Sequence, residues 1–342
     1  MKSIVLLIFL VIFISCSDNK DKTNSTINDT SKVNSNLIVP PISDSFYMNY
    51  KFKKGDLLNY RITTISTSSQ EILSDSVITT ISRQNVVYNV KLKVAELDSA
   101  KNAKINVLVE SIFVDGDING QKMNYNSNLI QSSQERMIFG QYEAIKKKQF
   151  SVILSKHGEI LNIYNIDAIL NELLDIQQQK NLTTAQKNEI RENLVVSVLK
   201  PLSEQIFRKF PSKKISKNYS WVDKYYSQFA LFQIENIASF QIQDVQEKDN
   251  DSTIIIGAGL SINWIGDNKT SENGMNFYFY DPVVSGEGKI NFDKNLGLIT
   301  YSNTSTRMQM ETDIDGVDET GKSFKAKRTD NTKNTNVVEL RR

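Results

Sequence analysis

The spacing of apolar residues changes twice along this 342-residue chain, and this change is the feature that most constrains its fold. Residues 56–114 alternate apolar and polar side chains and are rich in β-branched residues, which is typical of strands with one buried face. Residues 163–210 instead place apolar side chains three or four positions apart, the spacing of an amphipathic helix. Strand-like segments return from Tyr226 to Met310. The sequence therefore predicts an α+β fold: mainly antiparallel, curved β-sheet in two β-rich halves, with a central helical segment.

The first β-rich half is expected to span residues 52–164. Its alternating stretches predict a meander of four strands of about 8 to 12 residues each, two of them separated by the polar residues 82–85. The dipeptide Asn119-Gly120 favours a tight hairpin turn. A further pair of strands is predicted around the turn Ser155–Gly158, which contains the only histidine of the chain, His157.

The central segment, residues 165–210, is predicted to form two helices, Ile166–Ile176 and Thr184–Phe210. Thr183 and Gln186 have the spacing of a capping box, which predicts that the second helix begins there. Pro201 is expected to kink or end this helix, because proline lacks the amide hydrogen that a helix interior needs.

We expect one α+β domain over residues 46–315, with the second β-rich half at 219–313. Residues 316–342 are polar apart from Val337-Val338, and such a segment cannot bury much apolar surface. They are therefore expected to form an edge strand or a disordered tail.

The first sixteen residues predict where in the cell the protein is located. A basic start, an apolar run from Ile4 to Ile14 and a small residue, Ser15, before Cys16 are typical of a secretory signal peptide, here residues 1–15. As a helix that run would be about 16 Å long, roughly half of what a bilayer requires. Cys16 is the only cysteine, and its position resembles that of the lipid-modified cysteine of bacterial lipoproteins. Phe13 lies three positions before Cys16, where such signals usually carry Leu, Val or Ile.

Cys16 is accordingly the expected lipid attachment site, and residues 16–45 a flexible tether reaching about 30 Å. The acyl chains would then attach the protein to a membrane. The expected location is the cell envelope, at the outer membrane, on either its periplasmic or its external side. The alternative is an ordinary secreted protein whose Cys16 merely lies near the cleavage point.

Three further stretches carry a resemblance to a known family. They are Phe52–Arg61, at the first strand, Lys156–Ile160, at the histidine turn, and Gly286–Asp293, in a late hairpin. Together with the Asn-, Ser- and Lys-rich composition, they resemble uncharacterised lipoproteins of Bacteroidota that share a domain of unknown function. The resemblance implies a location and a single α+β domain, and it implies no activity.

Composition excludes several classes of site. With one cysteine and one histidine, neither an intramolecular disulfide nor a zinc site of the usual kind can form. The balance of 41 Lys and Arg against 39 Asp and Glu provides no footprint for nucleic acid. The pairs Asp115/Asp117 and Asp313/Asp315 lack the spacing of a calcium loop. We therefore expect no catalytic residue, no metal and no cofactor.

The function expected from these observations is non-catalytic binding of either an apolar ligand or a protein partner in the envelope. Aromatic residues concentrated after Tyr219 could line an apolar cavity, although sheet packing explains them more simply. The alternatives are a structural scaffold without a ligand and, ranked last, a carboxylate-dependent hydrolase. A hollow between helices and sheet would favour the ligand, and flush packing would favour the scaffold.

Overall fold

The computed structural model describes residues 45–341 apart from 180, 230–231, 249–250, 273, 318–320 and 322. The predicted signal peptide, Cys16 and the tether up to residue 44 lie outside the described residues. The strands are β1 (Leu57–Leu73), β2 (Val77–Leu97), β3 (Ala103–Ile118), β4 (Gln121–Asn126), β5 (Gln149–Leu154), β6 (Ile160–Tyr164), β7 (Ser220–Phe229), β8 (Phe232–Lys248), β9 (Asp251–Ile265), β10 (Lys269–Glu272), β11 (Met275–Phe279), β12 (Val283–Asp293), β13 (Leu298–Val317) and β14 (Ser323–Arg341). The helices are α1 (Ser133–Ile138), α2 (Gly140–Ile145), α3 (Asp167–Ile176), α4 (Thr184–Leu194) and α5 (Lys200–Ile206), with a π-helical turn at Val195–Leu199.

All of these strands belong to one antiparallel sheet. Its main path runs β6-β5-β3-β2-β1-β14-β13-β12-β9-β8-β7, with β4 attached to β3, β11 to β13 and β10 to β11. The prediction of a mainly antiparallel sheet is confirmed. The two β-rich halves are not separate sheets, because β14 joins them.

The position of β14 corrects the expectation for residues 316–342, which was wrong. β14 lies between β1 and β13 and pairs with both along most of its length, so that Val338 is opposite Ile62 on one side and Ser302 on the other. The polar composition was misleading, because the residues that β14 turns toward the core include Asn334 and Asn336, both buried. Asn336 accepts a hydrogen bond from Thr64 Oγ1 at 2.8 Å, which offsets the cost of burying it.

The predicted meander of four strands is also corrected, since three long strands replace it. β2 runs without interruption through residues 82–85, where polar side chains had suggested a break. These residues pair in register with β1, and the hydroxyls of Ser68 and Ser82 lie 2.7 Å apart, within hydrogen-bonding distance. Pairing with a neighbouring strand therefore continues the strand where the hydrophobic pattern fades. The Asn119-Gly120 turn joins β3 and β4, and both of its residues have positive φ, as a tight hairpin requires.

The central helices are short and lie near their predicted positions. α4 begins with the predicted capping box, in which Thr183 Oγ1 accepts from Gln186 N–H and the Gln186 side chain accepts from Thr183 N–H. Pro201 is the second residue of α5, directly after the π-helical turn. In a regular α-helix a proline ring clashes with the carbonyl group four residues earlier. The wider π-helical turn before Pro201 relieves this clash.

The helices pack directly on one face of the sheet. Ile169 of α3 and Leu199 of the π-helical turn are completely buried in the same cluster as Ile62, Leu92 and Phe292 of the strands. The N-terminal segment adds Tyr50, whose ring lies 5.5–6.0 Å from the rings of four phenylalanines: Phe52, Phe207, Phe210 and Phe292. These contacts join the N-terminal segment, the residues after α5 and β12 into one aromatic cluster.

Candidate functional site

Strand alternation divides the sheet into two faces. On β1, β9, β12 and β14, on β2 up to Val94, on β8 up to Ile242 and on β13 from Tyr301, even-numbered residues face the core and odd-numbered residues face the opposite side. In β13, for example, Thr304, Thr306 and Met308 are buried, whereas Asn303 and Arg307 are exposed. In β7 the parity is reversed, because Trp221 pairs with the core-facing Phe240.

The face opposite the core forms a trough. Two adjoining concavities of about 1010 and 680 Å³ meet at Lys333, which lines both. Together they extend from β7 to β2, across eight neighbouring strands, which corresponds to about 34 Å at the usual strand spacing. Hydroxyl and amide side chains dominate the larger concavity: Ser239, Gln241, Gln243, Asn303, Ser305 and Thr335.

Glycines keep the floor of the trough low. Gly257 and Gly259 are odd-numbered residues of β9, and a Cβ atom at either position would overlap the Gln243 or the Ser239 side chain. Glycines inside a strand often mark a kink or a bulge. The pairing of β9 with β12 instead runs unbroken through both of them, and the nearby irregularity lies in β8, between Ile242 and Asp244. The role of these glycines is thus to leave room above the sheet.

The trough carries more positive than negative charge. Arg83, Arg307, Lys333 and Lys289 line it, against one carboxylate, Glu287. Within the described ranges, none of these four cations forms an ion pair within 4.0 Å. The face is therefore electropositive as well as polar.

The core face, by contrast, is well filled beside the helices. A cavity bounded by Arg208, Leu260, Gly286 and Thr304 has a volume of about 30 Å³. A space of this size holds about one water molecule. This cavity is therefore too small to hold a lipid-sized apolar ligand.

The structure places His157 in the turn that the sequence predicted. It lies half-buried in the β5–β6 turn, and its carbonyl accepts a hydrogen bond from Phe210 N–H at 2.8 Å. Burial, followed by the neighbouring charge of Lys156, lowers the pKa of the imidazole below its ordinary value of 6.5. No described Asp or Glu side chain is within ion-pairing distance of it, and its backbone contact indicates a structural role.

The lowered pKa of His157 predicts a pH-dependent stability. Because the unfolded chain binds a proton near pH 6.5 and the folded chain only at lower pH, the free energy of unfolding is expected to fall as the pH drops from 7 to 5. His157 is the only histidine, so no other imidazole contributes in this window. Urea unfolding of His157→Asn at pH 7 and pH 5 should show a smaller difference than the unchanged protein. An equal difference in both proteins would contradict the assignment.

The acidic residues singled out in the sequence have structural roles. Asp117 accepts a hydrogen bond from Gly120 N–H at 2.9 Å and so supports the β3–β4 turn. Asp313 accepts one from the Tyr280 hydroxyl at 2.7 Å. In the described ranges, no three His, Cys, Asp or Glu side chains come together as a metal site would require.

Glu143 is a buried carboxylate that the sequence did not reveal. It accepts a hydrogen bond from the Tyr125 hydroxyl at 2.7 Å and lies 2.6 Å from Lys146 Nζ and 3.5 Å from Arg136 Nε. Burial, followed by the bond to Glu143, raises the pKa of Tyr125. These partners attach α2 to β4 and neutralise the carboxylate. Arg136 also pairs with Glu172, at 2.7 Å, so the two carboxylates share one guanidinium in an ion-pair network that joins α1, α2 and α3.

Comparison with known proteins identifies one matching family and several solved structures of low sequence identity. Residues 100–299 match the model of DUF6263, described as a family of unknown function. No curated protein matches the chain. Lipovitellin, from a structure of its lipid–protein interactions, is 10% identical, with 85% of this chain and 26% of that chain covered and a TM-score of 0.39. This chain thus spans about a quarter of lipovitellin.

Two bacterial structures are also similar over most of this chain. An outer membrane channel from Pseudomonas putida F1 is 9% identical, with 86% of this chain and 98% of that chain covered and a TM-score of 0.16. OpdL of Pseudomonas aeruginosa is 7% identical, with 83% and 99% covered and a TM-score of 0.18. Among the described residues of the present chain, no helix has the length and apolar character needed to cross a membrane.

Proposed function

Because the chain belongs to this family of unknown function, DUF6263, we propose its role from its own surfaces: it is a non-catalytic cell-envelope protein that holds an extended segment of a partner protein in the trough. The trough itself is the observation that carries this proposal. It is long, open and lined by side chains that donate and accept hydrogen bonds, as an extended polypeptide requires.

Chemistry favours a polar partner over an apolar ligand. An apolar molecule would need an enclosed, apolar site, but the space beside the helices has room for about one water molecule. Amide and hydroxyl groups in the trough would lose their water on contact with a lipid tail and gain no hydrogen bond in return. A polypeptide backbone can replace that water with hydrogen bonds of its own.

The envelope location rests on the first sixteen residues. We propose that residues 1–15 direct export, that Cys16 carries the acyl chains, and that the tether ending at residue 45 holds the sheet near the outer membrane. The resemblance to Bacteroidota lipoproteins supports the same location. Phe46 N–H and carbonyl both bond to Ile215, so the folded part begins soon after the tether.

The absence of catalysis is part of the proposal. His157 and Asp117 lie in turns that their hydrogen bonds support, Asp313 accepts a hydrogen bond from Tyr280, and Glu143 is neutralised by two cations. Binding to a preformed surface requires none of them. The trough therefore accounts for a role that needs no reacting group.

A structural scaffold without a ligand is the second candidate. The flush packing of the helices on the sheet favours it, because such a fold is rigid and leaves little space inside. A scaffold, however, does not require a polar trough about 34 Å long with uncompensated charge. The two candidates differ in whether changes inside the trough affect a partner.

Obstruction of the trough provides the test. A photoreactive amino acid at Asn303, in the full-length protein in its own cells, is expected to form one discrete cross-linked adduct. Ser239→Trp and Ser285→Trp point large side chains into the trough, and each should reduce this adduct about tenfold, or about 1.4 kcal/mol of binding.

Ser323→Trp, at the exposed start of β14, is the matched control and should leave the adduct unchanged. A photoreactive group at Ser323 itself should give no such adduct. If the two trough substitutions leave the adduct at its original level, the proposed function is wrong. If no position gives an adduct, the result favours a structural scaffold without a ligand.

A further inference from the structure

We propose that the segment bound in the trough is acidic, and that its carboxylates bind Arg83, Lys333 and Arg307. This inference rests on the proposed function and adds the chemistry of the partner. The three residues line the smaller concavity, and all are exposed. They are called here the cationic row.

Strand register places these cations in one line across the sheet. Arg83 of β2 is opposite Thr67 of β1, Thr67 is opposite Lys333 of β14, and Lys333 is opposite Arg307 of β13. All are odd-numbered, so their side chains share the trough face. The row is thus fixed by backbone pairing and does not depend on the conformation of a loop.

The cationic row has a cost for the free protein. Like charges directly opposite each other on neighbouring strands are destabilising, and Arg307 and Lys333 are such a pair. Asp117 is opposite Arg83, but its carboxylate supports the β3–β4 turn by accepting from Gly120 N–H. Glu287 is diagonal to Arg307 and forms no ion pair with it within 4.0 Å. An acidic ligand would supply the missing counter-charges.

Spacing distinguishes an extended acidic chain from a single small anion. With strands about 4.8 Å apart, the row extends about 14 Å from Arg83 to Arg307, too far for one phosphate to contact all three cations. An extended polypeptide rises about 3.4 Å per residue, so that carboxylates four residues apart match the two ends of the row.

Neutral groups beside the row suit a polypeptide backbone. Thr67 and Ser285 lie in the same line as the cations, and Gln309 and Asn331 lie in the next line along the strands. Their hydroxyl and amide groups can bond to peptide groups between the acidic side chains. Ions alone would not need this arrangement.

Fluorescence anisotropy with a labelled decaglutamate peptide tests the inference on the purified full-length protein. Decaglutamate is expected to bind at low salt and to weaken as salt rises, whereas decaglutamine should not bind. The double change Arg307→Gln and Lys333→Gln should weaken binding about tenfold or more. Lys93→Gln, an exposed cation of β2 outside the trough, is the matched control and should change it less than about twofold.

A second readout separates binding from a structural role. Arg307→Gln removes a like-charge repulsion, so the thermal midpoint of the ligand-free protein should stay level or rise. A clear drop in that midpoint would show that Arg307 stabilises the fold, and would overturn the inference.

Competition separates other anions from an acidic polypeptide. Pyrophosphate or polygalacturonate that displaces the labelled peptide at lower charge-equivalent concentration than unlabelled decaglutamate would overturn the inference in favour of a phosphate or an acidic glycan. Binding of decaglutamate that the double change does not weaken would also overturn it. Each of these results leaves the proposed function intact if the trough substitutions still reduce the cross-linked adduct about tenfold, so the two failures are distinguishable.

Discussion

Deletion of residues 323–342 is expected to abolish cooperative folding. The deletion removes β14, which pairs with β1 on one side and β13 on the other, so its loss breaks the sheet at its centre and exposes two strand edges. It also removes Val338, which is almost completely buried in the main core. Far-ultraviolet circular dichroism with a thermal ramp is the measurement, and no sharp transition is expected.

Ser323→Pro is the control for this deletion. Proline is tolerated at the first residue of a strand, and Ser323 is exposed there, so the variant should fold with nearly unchanged stability. A truncated protein that unfolds as sharply as the full chain would contradict the central position of β14. It would instead agree with the tail that composition alone predicted.

Gly158→Ala is expected to destabilise the protein by about 3 kcal/mol or more, the sum of backbone strain and overpacking. Gly158 has φ +89° in the β5–β6 turn, a conformation that costs little only for glycine. A Cβ atom there would overlap the Arg208 carbonyl oxygen and lie 2.6 Å from Tyr50 Cε2. Neither neighbour can move freely, because Tyr50 Oη accepts a hydrogen bond from Arg208 N–H at 2.8 Å within the aromatic cluster.

Gly55→Ala separates the two contributions. Gly55 also has a positive φ, of +92°, but no atom lies within 4 Å of a Cβ placed there. Only backbone strain remains, so a loss of about 1 kcal/mol is expected. Urea unfolding of both variants measures the difference, and equal losses would show that the contact with Arg208 and Tyr50 is unimportant.

Local signals in the sequence were sufficient for the start of α4 and for the tight turn. The capping box at Thr183 and the Asn119-Gly120 turn depend on residues that are close in the chain, and both formed as predicted. β14 and the trough depend on partners far away. Asn334 and Asn336 look like tail residues until Thr64 and the strands beside them are in place.

The trough had no signal of its own in the sequence. Polar residues at alternate positions, such as Asn303 and Ser305, occur on the solvent face of any sheet. What makes them a candidate site is the curvature of the sheet and the lateral order of its strands, and neither follows from one strand at a time. The cationic row is likewise visible only after Arg83, Lys333 and Arg307 are aligned by pairing.

The pairing of β1 with β14 also has a consequence for how the chain acquires its structure. Thr64 and Asn336 are 272 residues apart, so one edge of β1 has no partner until nearly the whole described region has been synthesised. Contacts of such long range slow folding, and an unpaired edge is prone to associate with other chains. On the proposed export route, the sheet would be completed only after translocation, and a chaperone that shields this edge should raise the yield of folded protein.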